Sequence, residues 1–384
     1  MTDTPLITPD ETAQPPARRS PWIPVGIVVV VLALVAAGAG WWWLNGRQSI
    51  PDWDRLAEVV LTAPAGDAFA EETPWVQLRL APLRPGEENS LRVSLEAPRG
   101  VPVPASDTGT RILALTAQPL DGGASQPEAI TLEPESGSDG SLVATAPLDH
   151  AGWWRLAVEV DGAEQPAVFN LLLPDPNING PNAVADFASA AEGEALFQRG
   201  LAATTALQSV RYIQWIADGA GNSAVSEHAI SAGGDGEPPA FSFRITGGMD
   251  AVIIGSTRWV RPPGVAEWQR QEGAAFVPPS EWGEEYSGAT GFTLLGEETI
   301  DGEPSQLVAF VAPELSEPRR RTVAWYLWWV GTETGHVRRE AMVSRRHYMF
   351  NQFGDFNEPM QILPPDEPGT PAAGTPVAAA TPTA

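Results

Sequence analysis

Residues 22–44 constrain this chain more than any other stretch. They read Trp-Ile-Pro-Val-Gly-Ile-Val-Val-Val-Val-Leu-Ala-Leu-Val-Ala-Ala-Gly-Ala-Gly-Trp-Trp-Trp-Leu and carry no charge. A helix rises about 1.5 Å per residue, so roughly 20 such residues cross a hydrocarbon core of about 30 Å. A single transmembrane helix is expected over 21–46. Arg18 and Arg19 precede it, and Trp41, Trp42 and Trp43 suit an interfacial aromatic belt. The positive-inside rule then puts the N-terminus in the cytoplasm and the long C-terminal part outside, a single-pass cell-membrane protein. Ala37-Gly38-Ala39 also resembles the small-residue end of a cleaved signal peptide. The length of the apolar run and the Trp triplet favour a retained anchor. Residues 1–20, polar and unpatterned, are expected to be a disordered cytoplasmic tail.

The chain has no cysteine, which excludes disulfide frameworks, thiolate metal sites and Cys nucleophiles. Its formal charge of -25 argues against nucleic acid as a partner. Every basic residue is Arg, so Schiff-base and P-loop lysine chemistry are absent. The four histidines, His150, His228, His336 and His347, form no zincin-type pair. No Gly-x-Ser-x-Gly elbow or glycine-rich phosphate loop is found. The protein is expected to be non-catalytic, without metal or cofactor.

Residues 47–73 read as a connector in which 53–61 fits either a short helix or a first strand. From Trp75 the pattern has period two. Leu91, Val93, Leu95 and Ala97 alternate with polar residues, as do Trp154, Leu156, Val158 and Val160 with Trp153, Arg155, Ala157 and Glu159. Further strands are expected at 112–117, 130–132, 142–146 and 167–173, with turns at Pro85-Gly86, Pro98-Arg99-Gly100 and Asp161-Gly162. Short strands at regular spacing predict an Ig-like all-β sandwich over 74–174. Residues 85–93, 100–103, 140–144 and 151–156 run in an order that resembles the YtkA/FixH-like sandwich, whose relatives occur beside copper-resistance proteins. In that group copper handling relies on His, Met or Cys. Here the segment holds only His150, so copper binding is not carried over, although a copper-linked accessory role stays open as an alternative.

Residues 175–184, rich in Pro, Asn and Gly, predict a linker. A helix follows at about 185–209, with Leu196, Phe197, Leu201 and Leu207 on one face; Gly200 either weakens it or lets something pack closely. Strands are then expected at 210–217, 228–231, 240–246, 249–254, 257–260, 267–269, 291–300, 305–312, 323–330 and 337–342. One helix followed by a long antiparallel meander over 185–363 is an α+β pattern. This half resembles the LolA/LprG-like lipoprotein-carrier fold, a half-open antiparallel barrel wrapped around a helix. The landmarks are 206–210, 253–259, Glu267-Trp268, 294–302, 325–335 and 353–362. The resemblance implies a cavity for a lipid, acyl chain or other apolar ligand. Candidate lining residues are Leu196, Phe197, Leu201, Phe243, Ile254, Trp259, Trp268, Leu294, Trp325, Leu327 and Trp329.

Trp325, Leu327 and Trp329 alternate with Tyr326, Trp328 and Val330, so both faces of that strand are apolar. Such a strand is covered twice: by a core or cavity on one side, and by the first domain, a partner or the bilayer on the other. Arg319-Arg320-Arg321, Arg338-Arg339 and Arg345-Arg346 either meet an anionic group or pair with local carboxylates. Residues 364–384, mostly Pro, Ala, Thr and Gly, are expected to be disordered. The reading is a multidomain, membrane-anchored extracytoplasmic protein whose second domain binds a membrane lipid or lipidated molecule. The alternative is a sensing or scaffold ectodomain that binds another envelope protein.

Overall fold

The computed structural model describes residues 58–96, 111–120, 127–135, 140–179, 189–234, 236–313, 323–344 and 347–365. The expected transmembrane helix, both tails and the Arg319 and Arg345 runs lie outside them. No helix among the described residues is long and apolar enough to cross a membrane.

The first unit is all β. One sheet runs β1 (Val59–Pro64), β2 (Trp75–Ala81), β3 (Glu88–Glu96), β7 (Leu142–Pro147), β6 (Glu133–Pro134), and the other β5 (Glu128–Ile130), β4 (Ile112–Pro119), β8 (Gly152–Val160), β9 (Ala167–Leu173). All measured pairings between these strands are antiparallel. The alternation read from the sequence is physical: Leu78, Leu80, Leu91, Val93, Leu156 and Val158 turn inward and are at most 2% exposed. Val59–Pro64, in the stretch first read as connector, is a full strand of the first sheet. Every residue in it is buried, because something covers its second face as well.

That cover is the second unit. Here eleven strands make one antiparallel sheet, in the order β15 (Gln269–Glu272), β14 (Thr257–Arg261), β13 (Asp250–Ile254), β12 (Ala240–Ile245), β11 (Ser223–Ser231), β10 (Ser209–Ala217), β20 (His347–Gly354), β19 (Val337–Ser344), β18 (Val323–Gly331), β17 (Glu303–Pro313), β16 (Thr290–Ile300). Beyond the one-turn α1 (Pro176–Asn179), its helix is α2 (Ala191–Thr205), and a 3-10 segment spans Pro279–Tyr286. The sheet is open, with β15 and β16 as its edges.

β20 was not read from the sequence, yet it joins the two halves of the sheet between β10 and β19. Its alternation is masked by Asn351 and Gln352, polar side chains that the fold buries to 5% and 1% exposure. The helix is shorter at both ends than its apolar spacing suggested, since Ser209 already pairs with Ser231 in the sheet.

The sheet has two occupied faces. On one lies α2. On the other lies the first unit: Trp75 meets Trp215 edge to face at 5.8 Å, the Val60 N–H donates to Gly219 O at 3.2 Å, and the Tyr348 hydroxyl donates to Asp175 at 2.7 Å. Arg155 pairs with Glu298, which also accepts from Trp329 Nε1 at 2.5 Å. One apolar core therefore runs from Leu61 and Phe169 of the first unit to Trp325 and Phe350 of the second.

Two glycines set the height of the helix above the sheet. A Cβ on Gly193 would meet the Phe292 carbonyl carbon at 3.0 Å. One on Gly200 would meet Val330 at 3.1 Å and Val337 at 3.3 Å. They lie seven residues apart, two turns of helix, and so share the face that touches the sheet.

A candidate ligand cleft between the helix and a crossing strap

Between the two sheet edges the chain does not go round the outside. Residues 273–289 cross the helix-side face as a strap. Phe276 stacks on Phe241 of β12 at 5.6 Å, Trp282 stands edge to face on Tyr212 of β10 at 6.2 Å, and Tyr286 does the same on Trp328 of β18 at 4.8 Å. Ala274 N–H bonds Ser256 O at one end, and Ala289 N–H bonds Tyr286 O at the other.

Under α2 the space is filled by rings. Phe197 stacks on Trp328 at 5.1 Å and touches Phe292 and Phe310 at 4.8 Å each. Phe310 stacks on Tyr326 at 5.0 Å. Within this apolar cluster sits one carboxylate, Glu340, 4% exposed. It accepts from Trp328 Nε1 at 2.7 Å, the Tyr286 hydroxyl at 2.8 Å and Asn351 Nδ2 at 2.8 Å. Burial raises its pKa, and the three donors only partly oppose that. The same burial, reinforced by Glu340 and Glu285, lifts the Tyr286 hydroxyl well above the usual tyrosine range.

Where strap and helix part, an open cleft of about 700 Å³ remains. Phe197, Leu201, Tyr286, Ala289 and Phe292 form its walls; Glu194, Gln198, Glu284 and Ser287 form its rim. Its volume falls in the range of ligand pockets, ~300–1,000 Å³. Gly283 sits at its mouth, with Leu201 Cδ1 3.7 Å from where a Cβ would be.

Farther along the same face, strands β10 to β12 carry a second aromatic row. Tyr212 stacks flat on His228 at 4.3 Å, and His228 lies 5.9 Å from Phe243. His228 Nε2 bonds Ser226 Oγ at 2.8 Å, and its Nδ1 has no partner. Burial lowers its pKa to about 3, so the ring is neutral.

The eleven residues expected around one cavity do not form one ring. Leu196, Phe197 and Leu201 face the sheet from α2, and Phe243 lies in the aromatic row on that side. Trp325, Leu327 and Trp329 point the other way, into the core shared with the first unit. Their alternates Tyr326, Trp328 and Val330 face the helix. Ile254, Trp259 and Trp268 pack with Val252, Ile362 and Met360 in a separate cluster. Leu294 is 36% exposed. Period two located the strand and its two apolar faces, but a strand apolar on both sides gives no sign of which face meets the helix. Tyr286 and Glu340 were missed altogether, and neither stands in a pattern that sequence alone distinguishes.

Two other expectations concern charge. Arg338 pairs with Asp301 at 3.5 Å and Glu303 at 3.4 Å, so local carboxylates take up that part of the Arg338-Arg339 run. His150 lies against Asp149 and Trp154 at the surface. Among the described residues no three His, Asp or Glu side chains converge as a metal set.

No protein-family model matches the chain, and no curated protein matches it by sequence. Among solved structures, the lipoprotein LppX of Mycobacterium tuberculosis is 19% identical, with 45% of this chain and 99% of that one aligned at a TM-score of 0.35. LprF of Mycobacterium bovis is 13% identical over 46% of this chain and 98% of its own, also at 0.35. A LolA superfamily protein of Nitrosomonas europaea is 13% identical over 43% and 92%, at 0.21.

Proposed function

We propose that this chain is a non-catalytic binding protein whose second unit takes an apolar ligand, a lipid or acyl chain, into the cleft between α2 and the strap. The observation that carries this is the cleft itself: about 700 Å³, open to solvent, floored by Phe197, Tyr286 and Phe292. Aromatic walls with a few polar groups at the rim are the usual composition of a site for a largely apolar molecule. The strap supplies a means of entry, since glycines stand at Gly273, Gly283 and Gly288, and two of them hold positive φ. The proposal includes the anchor: residues 21–46 hold the protein in the cell membrane with both units outside, next to a source of such ligands.

Native mass spectrometry of the full chain, followed by solvent extraction, tests the reading. A stoichiometric apolar molecule is expected, and Gly283→Leu, which fills the mouth, is expected to lower its occupancy at least 5-fold. A Cβ at Gly283 makes only ordinary contacts, so the variant should fold. A chain that carries nothing, with Gly283→Leu indistinguishable from it, sinks the proposal. The scaffold reading would then stand, because the rings under α2 already fill that part of the interior.

A further inference from the structure

The three rings that floor the cleft are held in different ways. Phe197 belongs to α2 and Phe292 to β16, and they pack on Phe310 at 4.8 and 6.0 Å. Tyr286 belongs to the strap. It lines the cleft, and its ring also meets Trp328 at 4.8 Å, Tyr326 at 5.4 Å and Phe310 at 6.0 Å. Those last three rings do not line the cleft. Tyr286 therefore stands between the open space and the aromatic cluster behind it.

Glu340 fixes where that ring stands. The Tyr286 hydroxyl donates to it at 2.8 Å, and Trp328 Nε1 at 2.7 Å and Asn351 Nδ2 at 2.8 Å hold the carboxyl in place from the sheet. Among the described residues, the backbone hydrogen bonds made by 275–289 are all internal to the strap: Glu281 N–H to Pro278 O, Ser287 N–H to Glu284 O and Ala289 N–H to Tyr286 O. Side chains, not backbone, thus tie this part of the strap to the sheet. A site is precise when the residues that shape it are locked by hydrogen bonds behind them, and Tyr286 is the wall residue so locked.

The space left in front of the ring is about 700 Å³. That is the size of a pocket for one drug-sized molecule. No basic residue lines it, and its rim carries Glu194 and Glu284, so nothing in it favours an anionic head. We infer that the cleft takes a single acyl or alkyl chain, and that Tyr286, with Glu340 as its positioning residue, is the stop that excludes a second chain. This rests on the apolar-ligand reading and adds the size class of the ligand and the residue that sets it. Without the Tyr286 ring, the cleft would extend toward Trp328, Tyr326 and Glu340.

The test is calorimetric titration of the full chain in amphipol with 1-octanoylglycerol and 1,2-dioctanoylglycerol, uncharged probes that differ by one chain. The proteins are the natural chain, Tyr286→Ala, Tyr286→Leu, Tyr286→Phe and Glu340→Gln. The natural chain is expected to bind the one-chain probe at least 10-fold more tightly. Tyr286→Ala should bring the two probes within about 3-fold of each other, and Tyr286→Leu, the milder change should the Ala variant not fold, should move the ratio the same way. Glu340→Gln keeps an acceptor for the hydroxyl and should keep the natural ratio. Tyr286→Phe keeps the ring but loses the bond, and should fall between. Ratios are taken within each protein, so a loss of stability that weakens both probes alike does not count. Equal affinities in the natural chain overturn the one-chain limit and leave the apolar-ligand reading intact. A preference that survives both Tyr286→Ala and Tyr286→Leu overturns Tyr286 as the stop, and a Tyr286→Phe ratio equal to the natural one overturns the role of Glu340. No binding of either probe by any of the proteins overturns the apolar-ligand reading as well.

Discussion

His228 and Glu96 are both buried ionisable groups held in their neutral form, and they act on stability in opposite directions as pH falls. His228 has its pKa lowered by burial from 6.5 to about 3. Below pH 6.5 the unfolded chain takes up a proton that the folded chain refuses until about 3, so its contribution is lost as pH drops through that window. Glu96, raised by burial from 4.5 to about 7 against the pull of Gln77 and Arg79, behaves conversely. Its contribution is complete below 4.5 and is lost as pH rises through about 7. His228→Phe should therefore flatten the acid limb of melting temperature against pH, and Glu96→Gln should flatten the rise on going from pH 7 to 5. A His228→Phe curve parallel to the natural one between pH 6 and 3.5 would mean that the ring is solvated. Glu340 offers a sharper contrast. Glu340→Gln keeps an acceptor, whereas Glu340→Leu strands the Trp328, Tyr286 and Asn351 donors. The Leu variant should lose about 3 kcal/mol or more, and the Gln variant roughly half of that, in urea unfolding. None of these residues announced itself in the sequence, where acidic residues are abundant and four histidines stand far apart. Burial, not residue type, sets their chemistry, and burial is a property of the fold.

At the scale of elements, the sequence was most legible where one face is wet and least where both are dry. β3 reads correctly because Ser90, Arg92 and Ser94 mark its outer side. β18 reads as a strand but not as an orientation, since from Ala324 onward both its faces are covered. β20 does not read at all, because its Asn351 and Gln352 are buried by polar partners on the sheet strands that flank it, Glu340 and Arg339 of β19 and Gln214 of β10. The strap could not be foreseen either: a 3-10 turn at Pro278-Pro279 looks like any surface loop until its aromatic residues are seen to cross the sheet. The helix gave a better signal. Gly200 left two readings open, a weakened helix or a close contact, and a close contact is there. Its partner Gly193 makes the stricter demand, because its neighbour is the backbone of Phe292 and cannot rotate away. Gly193→Ala should cost about 1–3 kcal/mol despite the gain in helix propensity. Gly200→Ala meets side-chain methyls of Val330 and Val337, at 3.1 and 3.3 Å, that need give only a few tenths of an ångström, and should cost less than Gly193→Ala. Chemical denaturation of the two variants decides between this picture and a helix that simply floats: equal, stabilising effects from both would show that neither glycine sets the contact.

At the scale of the whole molecule, the surprise is where the aromatic residues went. Trp325, Leu327 and Trp329 were expected around a ligand and instead bind the two units to each other. They are 5%, 0% and 2% exposed, within the core cluster that also holds the first unit's residues. Fully burying such side chains is worth ~1.5–3 kcal/mol each, so the contact contributes on the order of several kcal/mol even before Trp75, Trp215 and Phe350 are added. Inter-domain contacts that large and that apolar do not behave as hinges; the default of independent motion applies to smaller, wetter interfaces. The Arg155–Glu298–Trp329 group and the Tyr348–Asp175 bond fix the register of the contact, each joining a residue of the first unit or its exit to one on the sheet. The chain should therefore melt in one calorimetric transition, with van't Hoff and calorimetric enthalpies equal. Leu327→Ala, a large-to-small change in the middle of that contact, should destabilise by about 2–5 kcal/mol and move the whole transition, first unit included. Two transitions, with only the later-melting or only the earlier-melting one shifted by the variant, would mean that the units are stable separately and merely lie together. A single transition would bear on the proposed function: with Trp325, Leu327 and Trp329 committed to the first unit, the proposed cleft opens only on the other side of the sheet, between the strap and α2.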